Sequence, residues 1–196
     1  MFSPTVGVRL VLTALGLLLV VGAIVIGAMP RAGASRSAAQ RLLAPLESCP
    51  GSDSNDGTVE TKRAAMVCLI DYGRSQLDLP TLHESGILDR VGELKIAADI
   101  RCNDFTHTPC GQPLTAVYAA ASYPLAGTYA VGENLAYAKD RAATPRKIMR
   151  AWLDSPEHRA NLLSKRWTAF GLALRTGTHF LDRDDVSIWA NEFANP

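Results

Sequence analysis

The sequence predicts an α+β fold in which helices cover a small antiparallel sheet. Two segments in the first half carry apolar residues at helical spacing, and further helical segments follow them. The strand-like segments are few, and the last two are neighbours in the sequence, separated only by turn-forming residues. A stretch of about 140 residues is long enough to bury a core of its own.

The composition is that of a globular protein, with 47% apolar and 20% charged residues among 196. The net charge is +1, and neither sign of charge forms a long run. Nucleic-acid binding and other polyanionic partners are therefore not expected.

The N-terminal region differs from the rest because residues 10–29 carry no charge. A cleaved signal peptide fits a small-residue site at 32–34. A retained membrane anchor fits the length of the apolar run, since about 20 residues span the hydrocarbon. Residues 1–34 are therefore a signal peptide or an anchor, and either one carries the remaining chain out of the cytoplasm. Residues 35–57, rich in small and polar residues, are interpreted as a linker, and residues 58–196 as the folded domain.

Four cysteines agree with export, because an even set in an exported chain indicates disulfides. We expect Cys102 to pair with Cys110 and so to close a short loop around His107. Cys49 would then pair with Cys68 and tether the linker to the first helix. Free buried thiols are the alternative, while the spacing is unlike that of a zinc knuckle.

The first two helices are predicted at residues 58–75 and at residues 85 to about 101, with Ser85 as the cap of the second. A polar loop at 102–111 and a short helix at 114–122 follow. Residues 128–139 alternate like a strand, with a bulge or turn near Gly132.

The second half of the domain adds two helices and two strands. One helix begins at Thr144 with Pro145 in its first position, and a shorter helix begins at Pro156 with Ser155 as its cap. Strands are predicted at residues 169–175 and 186–194. Residues 176–177 and 182–185 supply the breaks between them.

Three residues are candidates for chemistry: His107 in the polar loop, Glu133 after a glycine in the predicted strand, and His158 near a helix start. The helix dipole keeps an imidazole at that position neutral, which suits a metal ligand or a general base, although a local hydrogen bond is the simpler role. If the three converge, they match a site for Zn²⁺ or another divalent cation with one open position.

Other catalytic patterns are absent from the sequence. It has no pair of histidines at zinc-protease spacing, no nucleophile elbow and no phosphate loop. His83 and His179 have no evident partners and are interpreted as surface residues.

Several ordered motifs resemble the bacterial branch of the CAP superfamily, the cysteine-rich secretory, antigen 5 and pathogenesis-related 1 proteins with SCP domains. The motifs are Phe105-Thr106-His107, Gly132-Glu133-Asn134-Leu135-Ala136, the segment 155–163 and the strands around Gly171 and Trp189. The resemblance implies a three-layer α-β-α sandwich. It also implies a central cleft with two histidines, His107 and His158, and two acids, of which Glu133 is one.

The second acid of the family pattern normally lies between the first histidine and the Gly-Glu-Asn motif, but residues 108–132 contain no Asp or Glu. The incomplete tetrad favours a non-enzymatic extracytoplasmic domain that binds a small lipid, a cell-wall component or a protein partner. A metal-assisted, protease-like hydrolase using His107, His158 and Glu133 is the alternative. A structural module tethered to the membrane through residues 10–29 is a third possibility.

Overall fold

The computed structural model describes residues 38–125 and 129–195. This part of the chain forms helices α1 (Ala38–Leu42), α2 (Val59–Ser75), α3 (Gly86–Cys102), α4 (Thr115–Ala120), α5 (Pro145–Asp154) and α6 (Pro156–Leu162). Its strands are β1 (His83–Glu84), β2 (Ala130–Lys139), β3 (Ala169–Phe180) and β4 (Arg183–Asn195). The predicted signal peptide or anchor lies outside the described residues. In the part that is described, every helix is too short or too polar to cross a bilayer.

One four-stranded sheet, in the order β1-β3-β4-β2, forms the middle of the domain. Strands β2, β4 and β3 are antiparallel, as predicted, while β1 pairs in parallel with β3. Strand β1 was not predicted, because two residues are too few to show an alternating pattern. His83 lies on β1 and is exposed, as expected.

Helices cover both faces of the sheet, so the α-β-α sandwich is confirmed. Helix α3 packs against β3 and β4, with α4 beside it. Helices α2, α5 and α6 pack on the other face and share a core with bulky side chains of β3 and β4. Strand β2 is an edge of the sheet.

The two long helices begin and end close to their predicted bounds. Thr58 caps α2, since its hydroxyl accepts a hydrogen bond from Thr61 N at 3.3 Å. Ser85 is the N-cap residue of α3, as predicted, but its side chain makes no capping hydrogen bond. Its carbonyl accepts from Asp89 N, and its backbone N–H donates to Phe170 O in β3, so the start of the helix is bonded to the sheet.

Strand β2 runs without a bulge, contrary to the prediction at Gly132. Its pairing with β4 is continuous from Ala130 to Lys139. The glycine is required for close approach instead, because a Cβ at Gly132 would lie 2.7 Å from Trp167 Cζ2. The sequence showed a glycine within a strand pattern but not the close approach of Trp167 that requires it.

The β3–β4 hairpin is longer than predicted. Thr176 and Gly177 do not end β3; Gly177 has φ +65° and coincides with a register shift. The turn lies at Leu181 and Asp182, which both have positive φ. His179 is exposed, as expected, but its Nδ1 contacts Asp184 Oδ1 at 2.6 Å, so the expectation that it lacks a partner is wrong.

Helices α5 and α6 begin at Pro145 and Pro156, as predicted. The Thr144 hydroxyl caps α5 by accepting from Lys147 N at 3.3 Å. Ser155 is the N-cap residue of α6, as predicted, and its carbonyl accepts from Arg159 N, but its side chain makes no capping hydrogen bond. One serine therefore ends α5 and begins α6.

The stretch interpreted as a linker carries α1 and buried side chains. Leu42 and Ala44 pack in the same core cluster as α2 and α5. Both expected disulfides are present: Cys49–Cys68 joins this stretch to α2, and Cys102–Cys110 closes the loop after α3.

Candidate functional site

His107 and Glu133 meet at the edge strand β2. His107 Nδ1 lies 2.5 Å from Glu133 Oε1, although the two residues come from a loop and a strand. The imidazole is 57% exposed, whereas the Glu133 side chain is 1% exposed. His107 is therefore the accessible member of the pair, and Glu133 lies behind it.

His158 lies on α6, close enough to His107 for their charges to interact. Burial lowers the pKa of His158, and the charge of His107 lowers this pKa further. Both effects favour the neutral imidazole, the form expected from the helix dipole. The structure thus brings the three predicted site residues to one region of the molecule.

Two asparagines connect β2 to α6 and so set the positions of His158 and Glu133. Asn134 Nδ2 donates to the His158 carbonyl at 3.0 Å. Asn161 Nδ2 donates to Glu133 O and to Asn134 Oδ1, at 3.1 and 3.0 Å. The bond to Glu133 O also satisfies a carbonyl group of the edge strand β2. Both asparagines belong to the sequence motifs, but no role could be assigned to them without the structure.

A buried lysine and aspartate on α3 lie beneath the His107–Glu133 pair. Lys95 Nζ donates to Asp99 Oδ1 at 2.6 Å and to Thr106 O at 2.5 Å. The same ammonium lies 3.9 Å from Glu133 Oε2. Burial raises the pKa of Asp99 to about 6, against the opposing effect of Lys95. This pair was not predicted, although a Lys and an Asp four residues apart on an apolar helix face indicate a buried ion pair.

The second acid of the site comes from β4. Glu192 is directly opposite Glu133 in the β2–β4 register and has no exposed surface. The Tyr118 hydroxyl, from α4, donates to Glu192 Oε2 at 2.8 Å. The site therefore contains a second glutamate, but this residue lies far along the chain from the segment where the family pattern has it.

The two glutamates together hold a proton at neutral pH. Glu133 Oε2 and Glu192 Oε1 are buried, and neither has a hydrogen-bond donor among the described residues. Two acceptor oxygens bond to each other only when one carries a proton. Burial raises the pKa of Glu133 to about 8, and burial together with the Glu133 charge raises the pKa of Glu192 well above its ordinary value. Both carboxyl groups therefore favour the protonated form, and Glu133 is the one that faces His107.

A groove opens beside His107, between α3 and α4, with a volume of about 200 Å³. Most of its surface is apolar. Polar groups are contributed by Lys95, Arg101, His107 and Gln112, and apolar groups by Leu94, Ala98, Pro109, Pro113, Leu114, Ala116, Val117 and Ala120. The groove can therefore surround a short apolar chain and contact a polar head beside it.

The donor set does not fit the predicted zinc site. Within residues 38–125 and 129–195, no three His, Cys, Asp or Glu side chains are grouped so that they would hold a metal ion. Glu133 Oε1 is engaged by the His107 ring, and its other oxygen is buried toward Lys95. An acid that is hydrogen-bonded and shielded in this way does not offer an open coordination position.

We expect the free energy of unfolding to fall as the pH rises from about 4.5 to about 8. The folded protein keeps protons on the glutamate pair that the unfolded chain has already released, so alkaline pH favours the unfolded state. Glu192→Gln should make this fall smaller, because the amide cannot ionise. Urea unfolding at several pH values measures the slope. Glu93→Gln, at an exposed position of α3, is the control, and an equal slope in both variants and the wild type would contradict the shared proton.

A family model and several solved structures match this chain. The family model described as "Cysteine-rich secretory protein family", or CAP, matches residues 69–188. This range contains the C-terminal part of α2, all of α3 to α6 and most of the sheet. No curated protein sequence matches the chain.

Three of these solved structures share the fold as follows. An outer surface protein from Borrelia burgdorferi is 18% identical, with a TM-score of 0.59 over 71% of this chain and 96% of its own. An extracellular SCP-domain protein from Bacillus anthracis is 20% identical, with a TM-score of 0.53 over 73% of this chain and 45% of its own. A cysteine-rich secretory protein from Staphylococcus aureus is 17% identical, with a TM-score of 0.50 over 72% of this chain and 42% of its own. The chain thus spans less than half the length of the last two, and these likenesses carry the fold alone.

Proposed function

Since this chain belongs to the cysteine-rich secretory protein (CAP) family, we propose that it is an extracytoplasmic, non-enzymatic domain that binds a small amphiphilic lipid beside His107. The observation that carries this proposal is the composition of the groove between α3 and α4. A cell-wall component or a protein partner fits less well, because most of the lining is apolar.

The polar groups of the groove favour a ligand with an acidic head. Arg101 and His107 lie on the lining together with Lys95, and no carboxylate belongs to the described residues of that lining. A carboxylate or phosphate head would meet a cationic guanidinium there, while the acyl chain would pack against α4. Each buried CH₂ group contributes about 0.8 kcal/mol.

The buried acids argue against hydrolysis. A general base must reach the water or substrate that it deprotonates, but the Glu133 carboxylate is shielded and already bonded to His107. Glu192 is wholly enclosed. The exposed imidazole of His107 suits ligand contact better than a two-acid mechanism.

An extracytoplasmic location is supported by two features. Both disulfides form within the described residues, and such bonds persist mainly in oxidising compartments. The uncharged run at residues 10–29 has the character of an export signal or anchor.

The proposal predicts that a medium-chain fatty acid binds saturably to the purified protein. Ala116→Trp should weaken binding at least tenfold, because Ala116 lines the groove and an indole would fill it. Ala119→Trp is the matched control, since Ala119 is exposed on the same helix outside the lining. Isothermal titration calorimetry measures both. Arg101→Gln should weaken binding of the acid but leave that of the corresponding alcohol unchanged.

Two results would overturn the proposal. Equal affinities of the Ala116→Trp and Ala119→Trp variants would remove the groove as the binding site. Turnover of a substrate that is lost on His107→Ala would make the protein an enzyme rather than a binding domain.

A further inference from the structure

The groove beside His107 and the buried glutamate pair, Glu133 and Glu192, have two side chains as common neighbours. His107 lines the groove, and its Nδ1 lies 2.5 Å from Glu133 Oε1. Lys95 lines the groove as well, and its Nζ lies 3.9 Å from Glu133 Oε2. The glutamates themselves lie outside the lining. A head group that contacts either of the two side chains is therefore close to the glutamate pair.

The buried charges at this boundary do not balance. Three acids, Asp99, Glu133 and Glu192, are at most 4% exposed. Lys95 is equally buried, donates to Asp99 and lies beside Glu133. Even with an imidazolium at His107, two positive charges face three carboxyl groups among the described residues of this boundary. A buried carboxylate stays ionised only beside a compensating charge, so at least one of the acids holds a proton.

Three groups that face this boundary keep one charge state between pH 7 and pH 9. Burial raises the pKa of Asp99 only to about 6, so Asp99 is ionised there. Burial lowers the pKa of His158, which is therefore neutral. Burial and Glu192 raise the pKa of Tyr118, which keeps its proton and donates a hydrogen bond to Glu192. Glu133, with a pKa raised by burial to about 8, titrates within the range. The other charged or titratable groups nearby are Lys95 and Arg101 on α3, Asp104 and His107 in the loop, Tyr123 after α4 and Glu157 on α6.

We propose that an acidic amphiphile binds in the groove together with a proton, which adds to a carboxylate oxygen of the glutamate pair. This inference rests on the function proposed above, and it identifies Glu133 and Glu192 as the residues that set the pH range of binding. The proton comes from the solvent, and no bond of the ligand changes. An anionic head beside Lys95 and His107 draws on the positive charge that otherwise compensates Glu133. Proton binding to the pair restores the balance.

Thermodynamic linkage fixes the sign of the pH dependence. Since the bound acid favours the protonated pair, ionisation of the pair weakens binding of the acid by the same factor. The affinity for an acid is therefore high near pH 7 and falls as the pH rises through about 8, the pKa of Glu133. An alcohol of the same length adds no charge, so its affinity is independent of pH over this range.

The test counts the protons that accompany binding. Octanoate, which is itself ionised at pH 7–9, and 1-octanol are each titrated calorimetrically into the purified full chain. At pH 8.5, two buffers of different ionisation enthalpy are compared at equal ionic strength, and the difference in heat gives the protons taken up per ligand. We expect uptake of about half a proton with octanoate and none with 1-octanol. From pH 7 to pH 9, the affinity for octanoate should fall at least about fivefold.

Three variants locate the proton. Glu192→Gln keeps the shape of the pair, because the amide can accept from Tyr118 and donate to Glu133, and with that donor Glu133 stays ionised from pH 7 upwards. This variant should bind octanoate without proton uptake and equally well at pH 7 and pH 9. Glu93→Gln, at an exposed position of α3 outside the groove, is the matched control and should behave like the wild type. His107→Gln should retain the uptake, since the proton binds to the pair.

The possible failures are distinguishable. Binding of octanoate by the wild type without proton uptake overturns the inference but leaves the groove as the binding site. Absence of saturable binding of both ligands overturns the proposed function as well. Uptake that persists in Glu192→Gln but is lost in His107→Gln places the proton on the imidazole and overturns the role of the pair. Binding of 1-octanol shows that a variant has kept its groove, and the wild-type result can overturn the inference without any variant.

Discussion

Gly171→Ala is expected to abolish folding or to lower the free energy of unfolding by about 4 kcal/mol or more. Gly171 lies on β3 and faces α3. A Cβ there would lie 2.2 Å from Leu88 C and 2.3 Å from Asp89 N. These are backbone atoms, so no side-chain rotation relieves the overlap, and the helix itself must move away from the sheet.

The helix is fixed at this same point. Asp89 Oδ1 accepts a hydrogen bond from Leu172 N at 2.8 Å, and Asp89 Oδ2 contacts Arg63 Nη2 at 2.7 Å. A displacement of α3 would break these contacts. It would also disturb the packing at Gly92, where the helix lies so close to β3 that an added Cβ would be 2.9 Å from Ala173 Cβ. The added methyl group therefore lowers the stability through several lost contacts between α3 and its neighbours, and not through a single steric overlap.

Gly86→Ala is the matched control for this prediction. Gly86 begins α3 and does not need a positive φ, and a Cβ added there would meet no atom within 4 Å. Alanine at this position should be neutral or stabilise the protein by up to about 1 kcal/mol. Guanidinium unfolding of the three proteins compares them, and a Gly171→Ala protein as stable as the wild type would refute the packing argument.

Lys95→Met is expected to lower the free energy of unfolding by about 3–5 kcal/mol at neutral pH. Methionine keeps much of the buried volume but leaves Asp99 and Glu133 without their cation. The carboxyl groups then avoid the cost of a buried charge only by holding protons. Raised pKa values in the folded state make stability fall with increasing pH, so the loss should be larger near pH 8 than near pH 5.

A control and a rescue separate the buried pair from a general effect of charge. Arg90→Met breaks an exposed pair with Glu93 on the same helix and should cost less than about 0.5 kcal/mol. Lys95→Met/Asp99→Leu removes both charges of the buried pair and should recover part of the stability. If Lys95→Met were no more harmful than Arg90→Met, the buried network would not stabilise the fold.

The helices and the central strands were predictable because their patterns are local. The apolar stripe of α2 and the Thr-Pro start of α5 are each contained within a short stretch of sequence. Ser85 and Ser155 occupy the predicted N-cap positions, but their side chains make no capping hydrogen bond. The backbone N–H of Ser85 is bonded to β3, and Ser155 also ends α5. Whether a serine side chain makes its capping bond depends on neighbouring strands and helices, and a local sequence pattern does not show them.

The candidate site was predictable only in part. Sequence motifs identified His107, Glu133 and His158, and the structure brings these residues to one region. Glu192 was missed because it lies within an apolar strand and becomes significant only through its register opposite Glu133. Pairing between strands so distant in sequence is set by the whole sheet, so no spacing rule would have placed the two acids together.

The Cys49–Cys68 bond determines how the domain bears mechanical load. Tension applied to the chain ahead of Ala38 can unravel residues 38–48, but it then meets a covalent link to the middle of α2. At about 3.5 Å per extended residue, the domain yields by at most roughly 40 Å and then holds. Reduction of the bond removes that stop, so that the same pull continues along the chain to the first turn of α2. The disulfide thus acts as a redox-dependent limit on extension, in addition to its effect on stability.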